Sequence, residues 1–187
     1  MSAGAKVSPR PPWRLAHDRS GVAAVEFALL APVLILLYFG AVELTQGFLT
    51  QERTAHTASA IGDLVSQSST LTTADITDIF AVGQTTMYPY PTPSLGMRLS
   101  AVNEDAQGVV TVGWSEATGG MTALTKGGSY SDPNLGSVLA PSQSVIVAES
   151  QNTYHSVFGA VIPQPITFHE KYYLKPRIST QVTCSDC

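Results

Sequence analysis

The chain has 187 residues, room for one modest domain and an appendage but not for two large domains. Only 13 % are charged, against about 25 % in an ordinary soluble protein. Residues 1–20 carry a net +3 (Lys6, Arg10, Arg14 and Arg19 against Asp18) and the rest −7. That split excludes a general nucleic-acid binder, whose main body needs clustered cations.

The first predicted element is a membrane segment. Residues 22–44 read VAAVEFALLAPVLILLYFGAVEL, with 16 uncharged residues from Phe27 to Val42. A transmembrane helix needs about 20 apolar residues, a length reached here if Glu26 is tolerated near one end. The cationic flank precedes the run, so the positive-inside rule keeps residues 1–20 in the cytoplasm and exports the part after about residue 45. A secretory signal peptide and a plain signal anchor are the competing readings. Neither accounts for an acid five residues past a glycine at the start of the run.

That glycine is Gly21, in the string Arg19-Ser20-Gly21-Val22-Ala23-Ala24-Val25-Glu26-Phe27. The string resembles a prepilin-type processing site: basic leader, glycine, four small or apolar residues, then Glu and an aromatic. Glycine before a scissile bond lets a peptidase approach the backbone closely. Cleavage between Gly21 and Val22 would free the Val22 amine, with Glu26 one turn inside the helix, where the helix dipole favours a carboxylate. A carboxylate in an apolar segment is costly, so it points either to assembly, by pairing with a neighbouring subunit's amine, or to the interface edge of an anchor.

The helical pattern continues past the apolar run. Leu44, Phe48, Ala55, Ala58, Ile61 and Val65 recur at helical spacing. This predicts one helix over 22–66, about 67 Å long at 1.5 Å per residue, bent locally at Pro32. Residues 67–95 are expected to form a short helix and a connector. Thr72 or Thr73 caps the helix, which runs to about Val82 with Asp75 in its first turn. Tyr88-Pro89-Tyr90-Pro91-Thr92-Pro93 then forms an extended connector.

Residues 96–187 read as a small antiparallel sheet. Met97, Leu99 and Ala101 alternate with Arg98 and Ser100. A turn at 103–107 follows, then Val110, Val112 and Trp114 on one face of a hairpin partner. Residues 115–143 are loop-rich, with a turn of helix expected around Met121–Leu124. Val145, Val147 and Glu149 mark a third strand. Ile166, Phe168, Glu170, Tyr172 and Leu174 mark a fourth. The intervening Tyr154, Val157, Phe158, Val161 and Ile162 are assigned to the core rather than to an exposed docking loop. The fold class is α+β: a long N-terminal helix followed by a small antiparallel sheet.

Catalytic patterns are missing from the string. His169-Glu170 opens like a metalloprotease motif, but Tyr173 stands where the second ligand is needed, and adjacent residues of a strand face opposite ways. His17, His56 and His155 have no metal-ligand spacing, and there is no GxGxxG, Walker lysine loop or GxSxG. Asp75 and Asp78, one helical turn apart, read as a solvated face. No catalytic, cofactor-binding or metal-ligating residue is assigned. Cys184-Ser185-Asp186-Cys187 could be redox-active, bind metal or close a disulfide; an exported location favours a small structural disulfide on a mobile tail.

Gly21-Val22-Ala23-Ala24-Val25-Glu26-Phe27-Ala28-Leu29 followed by Pro32 resembles the opening of TadE/TadG-like proteins, minor pseudopilins of the tight-adherence (Flp) pilus system. Residues 144–149, Tyr154, 157–159 and the Tyr172-Tyr173-Leu174-Lys175-Pro176-Arg177 segment are similar to later parts of that family. Phe27 stands where major Flp pilins usually have Tyr, which fits the TadE-type pattern. The resemblance implies a non-catalytic, pilin-like inner-membrane protein in pilus assembly, with its N-terminus cytoplasmic and its sheet domain periplasmic. The implied partners are a prepilin peptidase, the Flp pilin, other TadE/TadF-type subunits and the inner-membrane platform. A single-pass anchor carrying a periplasmic ligand- or envelope-binding domain is the alternative.

Overall fold

The computed structural model describes residues 21–159 and 161–187; the basic leader, with its four cations, lies outside them. The elements in chain order are α1 (Val22–Ser66), β1 (Thr70–Leu71), α2 (Thr73–Thr86), β2 (Gly96–Glu104), β3 (Val110–Thr118), β4 (Ser144–Tyr154), β5 (Ile166–Leu174) and β6 (Thr183–Cys184). A 3-10 turn at Leu135–Ser137 precedes β4. The chain divides into two compact units, Met1–Val42 and Glu43–Cys187.

In the first unit, α1 is lined with exposed large apolar side chains from Val22 to Tyr38, including Leu29 and Leu37. Pro32 lies inside the helix, and Tyr38 and Phe39 meet edge to face with ring centroids 5.5 Å apart.

The second unit is α+β and pilin-like. Its four-stranded sheet is antiparallel throughout, in the order β3-β2-β4-β5. Residues 43–66 of α1, together with α2, cover one face. There Ile61, Val65, Ile76 and Phe80 pack on Met97, Leu99, Ala101, Trp114, Ile146 and Ala148. The other face is covered by the β3–β4 loop, where Leu135 and Leu139 pack on Val102, Val145 and Val147. Close approach of helix and sheet depends on Gly62. A Cβ there would lie 2.5 Å from Leu174 Cδ1 and 2.8 Å from Ala148 Cβ.

The buried stripe of α1 differs from the one that hydrophobic spacing selects. Ala58, Ile61 and Val65 are buried as expected, but Leu44 and Phe48 are exposed. Glu43, Gly47, Thr50, Thr54 and Thr57 take the inner positions instead. The threonines manage this because their hydroxyls donate to carbonyls four residues back (Thr50 to Gln46, Thr54 to Thr50, Thr57 to Arg53) and so enter the interface satisfied. Ser150 Oγ then donates across to the Thr54 carbonyl at 2.6 Å.

Helix α2 runs four residues beyond Val82, to Thr86. Its start is a reciprocal cap: the Asp75 amide donates to Thr72 Oγ1, and the Thr72 amide donates to Asp75. The Thr72 hydroxyl, and then its amide, hold the Asp75 carboxyl below its ordinary value. The proline-rich connector folds into turns rather than extending. Tyr90 N donates to the Met87 carbonyl and Leu95 N to the Thr92 carbonyl. No helix forms at Met121–Leu124.

The hairpin carries a further correction. Its register shifts between Ala101 and Val102, so Trp114 pairs with Ala101 but Val112 pairs with Val102, leaving Gly113 as a bulge. Trp114 therefore faces the helices while Val112 and Val110 face the other way, and the three do not share a face. A Cβ on Gly113 would approach Asn103 Nδ2 to 2.6 Å, so a larger residue at the bulge would displace the Asn103 side chain.

Candidate functional site

The helix start is the site the sequence singles out. Gly21 lies in the turn that opens α1, and its carbonyl accepts the first helical bond from Val25 N at 3.1 Å. A Cβ added at Gly21 meets nothing within 4 Å. Val22, Glu26 and Phe27 are exposed, Phe27 by 69 %. Val22 and Glu26 are four residues apart on the helix and so share a face, which puts the carboxylate one turn from the backbone nitrogen of Val22.

Cys184 and Cys187 are joined as a disulfide with Cα atoms 5.6 Å apart. The segment carrying them is docked, contrary to the expected loose tail. Strand β6 pairs in parallel with β1, Asp186 Oδ1 accepts from the Thr73 amide at 2.8 Å, and both cysteines pack against the helix-side core. Trp114 Nε1 donates to the Val182 carbonyl beside it at 2.8 Å. Asp186 lies near both sulfurs, but two disulfide-bonded cysteines offer no thiolate to a metal.

Two buried acids escaped assignment as sites in the sequence. Glu43, at 1 % exposure, lies at the beginning of the second unit. Its Oε2 accepts from the amides of Val161 and Ile162 at 2.8 and 3.0 Å, and Tyr154 Oη donates to its backbone carbonyl at 3.2 Å. Burial, and then the Glu43 charge, push the Tyr154 hydroxyl up. The clue was an isolated acid closing an apolar run. Its partners, well over a hundred residues away, gave none.

Glu149 is likewise 1 % exposed, on the sheet face opposite the helices. Arg98 Nε lies 2.6 Å from its Oε2, and Lys171 Nζ lies 3.3 Å from its Oε1. Lys171 also reaches Asp132 at 2.7 Å. The hydrogen bond from Lys171, with the nearby Tyr173 hydroxyl and a further bond from the Asn134 amide, holds Asp132 down at about 2. Burial pulls Lys171 down, but Asp132, Glu149 and the neighbouring tyrosines outweigh it and its value rises. Desolvation raises Tyr130 and Tyr173. These charges neutralise one another, and such a network orders a sheet face without needing a ligand.

The His169-Glu170 pair separates as strand geometry requires. His169 Nε2 lies 3.6 Å from Glu149 on one face. Glu170 Oε1 accepts from Gln51 Nε2 of α1 on the other, at 3.2 Å. Of the other two described histidines, His56 and His155 are exposed. Asp75 is occupied in the α2 cap, and Asp78 is exposed. A shallow cleft beside the β3–β4 loop is lined by Glu104, Val110, Tyr130, Asp132, Leu135 and Leu139. Its Asp132 is already committed to Lys171.

No curated protein and no solved structure matches the chain. Residues 21–62 match the family described as TadE-like protein; the tyrosine-rich 172–177 segment lies outside that match. That match takes in the part of the helix that carries Gly21, Val22, Glu26 and Phe27 and leaves the sheet domain outside it.

Proposed function

We propose that this protein is a membrane-anchored minor pseudopilin taking part in Tad (Flp) pilus assembly, with no catalytic role of its own. The observation that carries the reading is the coincidence of the family match, residues 21–62, with a helix whose first residue directly follows Gly21. Residues 22–42 cross the bacterial inner membrane, residues 1–20 stay in the cytoplasm, and the sheet domain lies in the periplasm. A prepilin peptidase cuts between Gly21 and Val22. The exposed Glu26 and Phe27 then present a charge and an aromatic face to the Flp pilin and to TadE/TadF-type subunits on the inner-membrane platform. The freed Val22 amine, with an ordinary pKa of about 8, is a cation at neutral pH. A Glu26 carboxylate from a neighbouring subunit neutralises it.

The test is the mature N-terminus in a host with an active prepilin peptidase. Val22 is the expected first residue, and Met1 retained on the mature protein would reject processing. Gly21→Leu should block the cut without disturbing the fold, because no atom lies within 4 Å of a Cβ there. Glu26→Gln should insert normally yet lose piliation and crosslinks to pilin partners. Normal piliation in that variant would favour a simple anchor.

A further inference from the structure

The β4–β5 loop is the most apolar exposed stretch of the second unit. Tyr154 is buried and Ile162 half-buried, as the core assignment has it, but Val157 is 78 % exposed, Phe158 53 % and Val161 46 %, so these three do not belong to the core. No Asp, Glu, Lys or Arg occurs between Glu149 and Glu170. Part of the loop's backbone is engaged. Gly159 N donates to Ser156 Oγ, Val161 N and Ile162 N donate to the Glu43 carboxylate, and Pro163 and Pro165 have no N–H.

Glu43 sets where this loop lies. It is the residue after Val42, and the 21 residues Val22–Val42 span about 31 Å as helix, matching a hydrocarbon core of about 30 Å. The carboxylate that closes the membrane run therefore holds the loop by two hydrogen bonds at the membrane boundary. Leu44 and Phe48, exposed on the next turns of the helix, add apolar surface at that end of the unit.

We infer that the β4–β5 loop, tied to Glu43, is a second membrane contact, with Val157, Phe158 and Val161 inserted among the lipid headgroups of the outer leaflet. The inference rests on the reading of residues 22–42 as a membrane span. The occupant is lipid rather than a second copy, because the loop is fixed to the first residue past that span. The buried Glu43 carboxylate is then a structural clamp, and its partners keep a charge at the boundary satisfied.

The test uses the full chain in vesicles of phosphatidylethanolamine and phosphatidylglycerol. A nitroxide label is placed by Val157→Cys, with Gln107→Cys in the distal β2–β3 turn and Leu34→Cys in the helix as references. All three positions are exposed, and the native cysteines are bonded to each other, so labelling is selective and leaves the fold alone. Collisions with oxygen, which partitions into lipid, are compared with collisions with a water-soluble nickel chelate. The label at 157 should favour oxygen, as at 34, and the label at 107 should favour nickel. Nickel preference at 157 with oxygen preference at 34 would overturn the loop contact and leave the membrane span standing. Nickel preference at 34 as well would overturn the span and the inference together. Protection of 157 from both reagents would mean a protein covers the loop, and would overturn the lipid assignment. In Glu43→Ala the label at 157 should shift toward nickel; an unchanged ratio would overturn the clamp.

Discussion

The two compact units share one helix but treat it oppositely. Within residues 22–38 the large apolar side chains are exposed, Leu34 by 58 %, whereas in 43–66 Ala58, Ile61 and Val65 are fully buried on the sheet. The apolar half is uniformly greasy. The packed half hides small and polar groups, among them Gly47, Thr54 and Gly62. Lipid accepts any apolar side chain, so a lipid-facing helix needs composition only. A sheet demands shape, and residues that pack closely outcompete larger ones such as Leu44 and Phe48.

The sharpest way to break this comparison is a matched pair of truncations. Ile61→Ala should lower the stability of the second unit by about 2–5 kcal/mol. Leu34→Ala should change it by less than about 0.5 kcal/mol. Urea unfolding of the full chain in detergent micelles, followed through the buried Trp114, reads both; equal losses would show that the two halves are not distinct. The converse experiment charges the apolar half. Leu34→Asp should cost about 2.5–3.5 kcal/mol in membrane insertion and deplete the alkali-resistant membrane fraction. The unfolding midpoint of the second unit should stay where it was.

Acid should separate the units more mildly. Asp132 falls from 3.8 to about 2 on folding, so its charge stabilises the second unit fully above about pH 4. That contribution is lost as the pH drops from about 4 to 2, because both states are then protonated. Discounted for solvent screening of a partly exposed pair, it is about 1–2 kcal/mol. Asp132→Asn should be less stable by that amount at neutral pH, with the gap closing across the same window in pH-dependent unfolding. Smallest is the α2 cap. Thr72→Ala should cost about 1 kcal/mol, again in the second unit alone. An unchanged urea midpoint would mean that the Asp186 bond to Thr73 already holds that helix end.

Much of the architecture can be read in the string. The bounds of α1 at Val22 and Ser66 follow from a helix-compatible run without a strong interior breaker apart from Pro32, which a membrane helix tolerates. Strand β5 shows in the alternation from Ile166 to Leu174, and the α2 cap in Thr72 and Asp75. The proposed processing string, Gly21-Val22 followed by Glu26 and Phe27, is likewise a local pattern, and it lies in the segment that matches the TadE-like family. These are local signals, carried by neighbours within a turn or two.

What the string by itself determined is therefore the local grammar: a long apolar helix, its glycine-led start, and four strands in order. Only the tertiary structure decided which face each side chain meets. One bulge at Gly113 turned Trp114 away from Val112. Paired hydrogen bonds placed Glu43 against Val161 and Ile162. The parallel pairing of β6 with β1 tied down the disulfide segment. The physical reason is distance along the chain. Alternation and helical period record whether a residue is apolar, but the partner of a buried charge lies far away in sequence, and one extra residue in a strand reverses every face that follows it.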